Sequence, residues 1–303
     1  MNTTRRSVLA GGAAAALAAT LPGGASAQPA LIRKPIPSSG EMIPIVGLGT
    51  ARRYENAQAA DMDPLRDTIR RFAELGGTGI DTSPTYGTAE RTMGTLISEL
   101  GVRDKLFLCT KVAVDNKEQG VAQIEQCFRN LRTDKIDLIA VHNLRDTANG
   151  LATLRDLKAA GRIRYYGMTT SFDRQYEEFE AVMRREQMDS IQIDYALDNR
   201  NAADRIIPLA KDRGMAVFLN LPFGRGSVFR ATQGKPLPDW ATEIDCTTWA
   251  QFMLKYVVSH DAVTAAMPGM AQAQYVDDNL KAAQGRLPDA AMRRRMERFI
   301  DGL

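Results

Sequence analysis

Leu106-Phe107-Leu108-Cys109-Thr110-Lys111, an amphipathic segment over 118–131, and then Ile136-Asp137-Leu138-Ile139-Ala140-Val141-His142 form the stretch whose reading decides the fold. The two outer runs are short and largely apolar, bounded as strands are. The segment between them repeats its apolar residues at helical spacing. That order is a buried parallel strand, a crossover helix and a second parallel strand. Working outward, the same alternation predicts strands over Ile43–Leu48, Gly79–Thr82, Arg164–Met168, Ser190–Tyr195, Ala216–Leu219 and Val263–Met267, eight in all. Further helical patterns fall over 64–75, 89–100, 151–160, 173–187, 202–213, 246–259 and 272–283, with Gly76, Gly101, Gly161 and Gly214 placed as helix stops. Eight right-handed strand–helix units close into a single-domain α/β fold, the (β/α)8 TIM barrel. A doubly wound open sheet wants a glycine-rich dinucleotide turn after its first strand, and Gly47-Leu48-Gly49-Thr50 lacks the following glycine and helix. The gap from Pro222 to about Ile244 follows the seventh strand and reads as a lid or cofactor strap, and 288–303 reads as a final helix.

Residues 1–27 stand apart from this pattern. Arg5 and Arg6 precede a mildly apolar, alanine-rich run to Leu21, and Ala25-Ser26-Ala27 offers small residues to a peptidase. That is the order of a cleavable export signal preceding a barrel over 28–303. The paired arginines suggest the twin-arginine route, its machinery a transient partner and the periplasm the destination; a Sec-type leader is the alternative. The 303 residues carry a formal charge of +3, with basic residues interspersed among acidic ones, so nothing marks a nucleic-acid surface. Arg293-Arg294-Arg295 reads as a solvated helix face. Cys109, Cys127 and Cys246 lack metal-ligand spacing and read as buried free thiols.

Four residues at or just past successive strand ends carry the chemistry: Asp81 and Tyr86, Lys111, and His142. An ammonium at a barrel mouth needs a compensating carboxylate, and Asp81 on the neighbouring strand supplies one. Taken singly, each residue has a structural reading; paired on adjacent strands they point to a site. Beside that cation the Tyr86 phenol is expected to become more acidic and to serve as a proton donor. His142 is placed to donate a hydrogen bond to a carbonyl. His260 reads as a helix-terminal residue.

Gly79-Ile80-Asp81-Thr82-Ser83-Pro84-Thr85-Tyr86-Gly87-Thr88-Ala89-Glu90 resembles the signature of the aldo-keto reductases. The resemblance continues through Thr110-Lys111-Val112, Ile136-Asp137-Leu138 to His142, Gly161-Arg162-Ile163-Arg164, Ile191-Gln192-Ile193-Asp194-Tyr195, Pro222-Phe223-Gly224-Arg225-Gly226, Pro268-Gly269 and Asn279, in order along nearly the whole mature chain. It implies a tetrad of Asp81, Tyr86, Lys111 and His142, with the tyrosine as general acid, and a hydride carried by a nicotinamide across the barrel mouth, without a metal. It also implies cofactor contacts at Gly49 and Thr50, at Thr169, Thr170 and Gln192 for the carboxamide, and at Asn220 where relatives often stack an aromatic ring. Pro222, Phe223, Gly224, Arg225 and Gly226 fall near the pyrophosphate, although the glycines equally suit a tight loop. Pro268, Gly269, Met270, Asp278 and Asn279 fall toward the adenosine. Met270-Ala271-Gln272-Ala273-Gln274 lacks the arginine or lysine that a 2′-phosphate wants, so NADP(H) is expected with NAD(H) left open. The expected partner is a small-molecule aldehyde, ketone or sugar carbonyl. The readings from other classes are a catalytically idle nucleotide-binding barrel that regulates or scaffolds, and a non-redox barrel lyase or isomerase.

Overall fold

The computed structural model describes residues 30–303, so the expected export segment lies outside the described residues. The chain begins with an antiparallel hairpin, β1 (Arg33–Pro35) and β2 (Met42–Pro44). Then follow β3 (Leu48–Gly49), α1 (Met62–Glu74), β4 (Gly79–Asp81), α2 (Ala89–Leu100), β5 (Phe107–Val112), α3 (Lys117–Leu131), β6 (Ile136–His142) and α4 (Thr147–Ala159). The second half runs β7 (Ile163–Thr170), α5 (Tyr176–Arg185), β8 (Ser190–Asp194), α6 (Ile206–Asp212), β9 (Ala216–Asn220), α7 (Ser227–Ala231), α8 (Trp249–Val258), β10 (Ala265–Ala266), α9 (Ala273–Leu280) and α10 (Ala290–Asp301). Strands β3 to β10 pair in chain order and all in parallel. The sheet curls until its ends meet: Gly47 N donates to Ala266 O at 2.9 Å and Gly49 N to Pro268 O at 2.8 Å, with bridges Val46–Ala266 and Gly49–Gly269.

The two-residue period of the strands sorts the core into two parts. Phe107 and Cys109 of β5 belong to an inner cluster with Leu138, Tyr165 and Phe218. Leu108 and Val112 belong to the outer cluster under the helices. Phe107 stacks on Tyr165 at 5.7 Å and on Phe218 at 6.2 Å between ring centroids, which fills the lower barrel with solid packing. Ile36 and Ile43 from the hairpin join this inner cluster as a plug.

The expected first strand, Ile43–Leu48, is divided. Residues 42–44 turn back against β1, and only the following residues run with the barrel. Pro44 has no N–H for a ladder, which ends the hairpin strand there. The hairpin is fastened by Lys34, whose Nζ donates to the carbonyls of Val258, His260 and Val263, each at 2.8 Å, at the C-terminal end of α8. A cation there complements the helix dipole.

One other expectation changes. The arginine run is not a solvated face throughout. Arg293 donates to Tyr195 Oη at 2.7 Å and Ser259 Oγ at 2.9 Å and lies 4.1 Å over the Tyr256 ring, which fastens α10 to the barrel. The segment after β9 holds α7 and a 3-10 turn at Asp239–Ile244 whose Trp240 packs on Phe252 and Phe299. All three cysteines are buried free thiols.

Gly167 in β7 has no room for a side chain: a Cβ there would lie 1.9 Å from the Ser190 carbonyl oxygen. Gly167→Ala must push β7 from β8, with an expected cost of about 1–3 kcal/mol and a clear fall in the thermal midpoint. Gly269→Ala, whose Cβ would meet only Gly49 O at 4.0 Å, should melt close to the parent. Equal melting of the two variants by circular dichroism would contradict this account of the packing.

Candidate active site

Asp81 ends β4, Lys111 is the penultimate residue of β5 and His142 ends β6, so the parallel register delivers all three to one rim. Tyr86 comes from the turn after β4, closed by Tyr86 N donating to Ser83 O at 3.0 Å and Ala89 N donating to Tyr86 O at 2.8 Å. The turn is pinned at both ends. Thr50 N and Oγ1 donate to Asp81 O at 3.0 and 3.1 Å, and Thr88 N and Oγ1 donate to Glu55 O at 2.6 and 3.0 Å. Gly87 permits the second pin: its φ is +49°, and a Cβ would sit 2.3 Å from Glu55 O.

Lys111 is 2% exposed, and its Nζ donates to Asp81 Oδ1 at 2.7 Å and to Thr82 O at 2.8 Å. Burial, the largest influence, pushes the ammonium down, but Asp81 and then Tyr86 outweigh it and hold Lys111 above its ordinary value. It is a fixed cation. Its Nζ lies 5.5 Å from the Tyr86 ring centroid. The sequence predicts a phenol made more acidic by this neighbour, and the balance falls the other way. The Lys111 charge is the strongest single influence on Tyr86 and pulls it down, yet burial, Asp81 and Glu55 together leave the phenol above its ordinary value. Tyr86 therefore carries its proton at neutral pH.

The His142 ring meets the Tyr86 ring edge-on, with centroids 6.3 Å apart. Burial, then the Lys111 and Arg145 charges, push His142 down to about 3, so the imidazole is neutral in the working range. Its Nδ1 lies 3.3 Å from Ser83 Oγ. With Nδ1 accepting from that hydroxyl, the proton sits on Nε2 as a donor. Ser83, and the Thr82 carbonyl that receives Lys111, are contributors that sequence reasoning missed: hydroxyls and main-chain oxygens leave no spacing signal.

The strand ends beyond His142 carry amide and hydroxyl groups. Thr169 pairs in register with both His142 and Gln192, and Asn220 pairs with Asp194. Asn220 Nδ2 lies 3.5 Å from Thr169 Oγ1 and 3.3 Å from Thr170 O, while its Oδ1 is buried without a partner among the described residues. Free amide capacity of this kind fits the carboxamide of a nicotinamide. The Thr170 hydroxyl is engaged elsewhere, bonded to Gln175 and accepting from Phe172 N. Gly49, Pro268 and Gly269 form the barrel seam, and Met270 is a core residue whose carbonyl accepts from Tyr54 Oη at 3.0 Å. After β9, Pro222 and Phe223 lead into Gly224–Gly226, a tight turn with φ of +53°, +55° and +84° at its three residues. Asp278 accepts from Thr248 Oγ1 at 2.9 Å and Gln251 Nε2 at 2.7 Å, bracing the start of α8, and Asn279 beside it is buried.

A proton-carrying phenol, a fixed cation and a neutral imidazole meet at one barrel rim, an arrangement suited to giving a proton to a carbonyl oxygen. A family model for the aldo/keto reductase family matches residues 45–297. The chain is similar to the aldo-keto reductase YhdN of Bacillus subtilis (strain 168), 33% identical over 178 residues that cover 53% of this chain and 52% of that relative. It is also similar to the methylglyoxal reductase YeaE of Escherichia coli (strain K12), 27% identical over 268 residues, 86% of this chain and 93% of that one. Its fold matches an aldo/keto reductase from Klebsiella pneumoniae in complex with NADP and acetate, with TM-score 0.73, 24% identity and coverage of 86% and 93%. The chain thus spans about half the length of the first relative and nearly all of the second. It belongs to the aldo/keto reductase family.

With His142 neutral, the rate of carbonyl reduction should show no histidine inflection between about pH 5 and 8. Lys111→Met removes the strongest downward influence on Tyr86, so the limb of alcohol oxidation that reports loss of the phenolic proton should move to higher pH. A limb that stays in place, in a variant shown to be folded, would detach the lysine from the phenol.

Proposed function

We propose that the protein reduces a small aldehyde, ketone or sugar carbonyl to the alcohol, and runs the reverse reaction, with NADP(H) as hydride carrier and Tyr86 as general acid and base. The observation that carries this reading is the Tyr86 ring lying 5.5 Å from a buried ammonium that is itself paired to Asp81 at 2.7 Å. When bound, the reduced nicotinamide supplies a hydride to the carbonyl carbon. Tyr86 gives its phenolic proton to the carbonyl oxygen, completing the alcohol. The phenolate left behind faces Lys111, whose charge favours that form. Asp81 keeps Lys111 ionised and in place. His142 Nε2–H orients the carbonyl oxygen without competing to protonate it. Gln192, Thr169 and Asn220 hold the carboxamide, with Gly49, Thr50 and the turn Pro222–Gly226 along the rest of the cofactor. NADP and NADPH in the Klebsiella pneumoniae structures support NADP(H) as the carrier. The Escherichia coli relative makes methylglyoxal the first substrate to try.

Tyr86→Phe should bind NADPH as the parent does in a nicotinamide fluorescence titration and lose about 10²- to 10⁴-fold in turnover. Parental turnover in that variant would remove the phenol from the reaction, and tighter binding of NADH than NADPH would reverse the cofactor assignment.

Arg5-Arg6 and the segment that follows suggest export by the twin-arginine route to the periplasm, with the barrel already folded. Replacing both arginines by lysine should leave the protein in the cytoplasm on cell fractionation. Continued export would point to the Sec route or another signal.

A further inference from the structure

One buried carboxylate has no part in the reaction above. Glu90, in the first turn of α2, is 2% exposed, yet both of its oxygens are used across element boundaries. Oε1 accepts from Thr110 Oγ1 of β5 at 2.6 Å, and Oε2 accepts from Asn130 Nδ2 of α3 at 3.0 Å. Thr110 directly precedes Lys111 and, by strand alternation, faces the helices while Lys111 faces the barrel. Cys127 of α3 approaches the same place, its Sγ 3.8 Å from the Lys111 carbonyl. On the other side, Glu90 follows Ala89, whose N–H closes the turn on the Tyr86 carbonyl. The α2–α3 contact beside it is close: a Cβ on Gly94 would lie 2.1 Å from Asn130 O.

The geometry points to Glu90 as a positioning residue that latches the Tyr86 turn to the back of β5 and so sets the separation of Tyr86 from Lys111. This rests on Tyr86 and Lys111 acting together as proposed above. A helix N-terminus alone would be satisfied by any acidic side chain in its first turn. Here the carboxylate is turned away from solvent and spent on a strand hydroxyl and a second helix. The charged groups that act on the Tyr86 phenol are Lys111, Asp81 and Glu55, and Glu90 is not among them. Its influence is therefore one of shape, and a glutamine, which loses the charge and the acceptor for Asn130 but keeps an oxygen for Thr110, should preserve the strand side of the latch. A chain-end displacement of about an ångström between reacting groups costs on the order of 10²-fold in rate.

The test compares Glu90→Ala, Glu90→Gln and Thr110→Val with the parent and with Tyr86→Phe, each verified by circular dichroism and thermal melting. Glu90→Ala is expected to lower kcat roughly 10- to 100-fold, leave NADPH affinity by fluorescence unchanged, and move the Tyr86 limb of the pH profile to higher pH. Glu90→Gln, which still accepts from Thr110, restores both kcat and the limb. If Glu90→Ala does not fold, Thr110→Val removes the same latch from the strand side and should move the limb in the same direction. An unmoved limb in folded Glu90→Ala or Thr110→Val overturns the inference, as does a Glu90→Gln enzyme impaired as fully as Glu90→Ala. If Tyr86→Phe keeps parental turnover, the assignment of the phenol has failed instead.

Discussion

The ion pair between Lys111 and Asp81, sealed inside the barrel at 2.7 Å, is the constraint around which the rest of the molecule is arranged. A buried pair is a poor device for stability, since stripping water from two ions costs several kcal/mol per ion. Well-packed apolar residues at those two positions would serve folding as well or better. The pair makes physical sense as a fixed charge, and the surroundings treat it as one. Lys111 has a second acceptor in the Thr82 carbonyl, and the Asp81 peptide oxygen is held by both donors of Thr50. Neither partner can drift without breaking bonds to the segments that follow β3 and β4.

Fixing the charge is useful only if the phenol is fixed against it. Tyr86 lies on a turn, and turns are ordinarily the most yielding part of a barrel. This one is pinned by Thr50 at its start and by Glu55 through Thr88 at its end, and Gly87 allows the chains to meet closely enough for the second pin. Below the rim, the stacked rings of Phe107, Tyr165 and Phe218 and the plug of Ile36 and Ile43 leave the strands little freedom to slide. Rigid strands and a pinned turn pre-organise the site, so the reacting groups need no rearrangement when charge develops.

Most of the fold was legible because a fully buried parallel strand writes itself as a largely apolar run, as in β5 and β6, and several helices announce their ends with glycine. The rim residues were legible for a related reason: a lysine or histidine that terminates such a run has nowhere to go but the mouth. The hairpin was not, since three-residue strands carry no period and Ile43 appeared to continue into the barrel. Arg293 was misread because three consecutive arginines look alike, and only tertiary packing selects the one whose position on α10 faces Tyr195 and Tyr256. The direction of the Tyr86 shift was unreadable in principle. Sequence shows the nearby lysine and Asp81, whereas burial, the largest opposing influence, and Glu55, a residue on another loop, emerge only in the folded chain.

That opposing balance has a chemical consequence. A general acid must hold its proton until the oxygen it serves becomes basic, and then release it at low cost. An acidified phenol would meet the second condition and weaken the first. In the reaction we propose, the two demands fall to different groups. Burial, Asp81 and Glu55 keep Tyr86 protonated in the resting enzyme, while Lys111 remains the strongest influence on the anion that appears after transfer. The neutral His142 fits the same division: pushed down to about 3, it lacks the acidic second proton of an imidazolium and keeps its single N–H as a donor. One rim therefore contains one transferable proton, and its fate is set by a lysine that cannot itself let go.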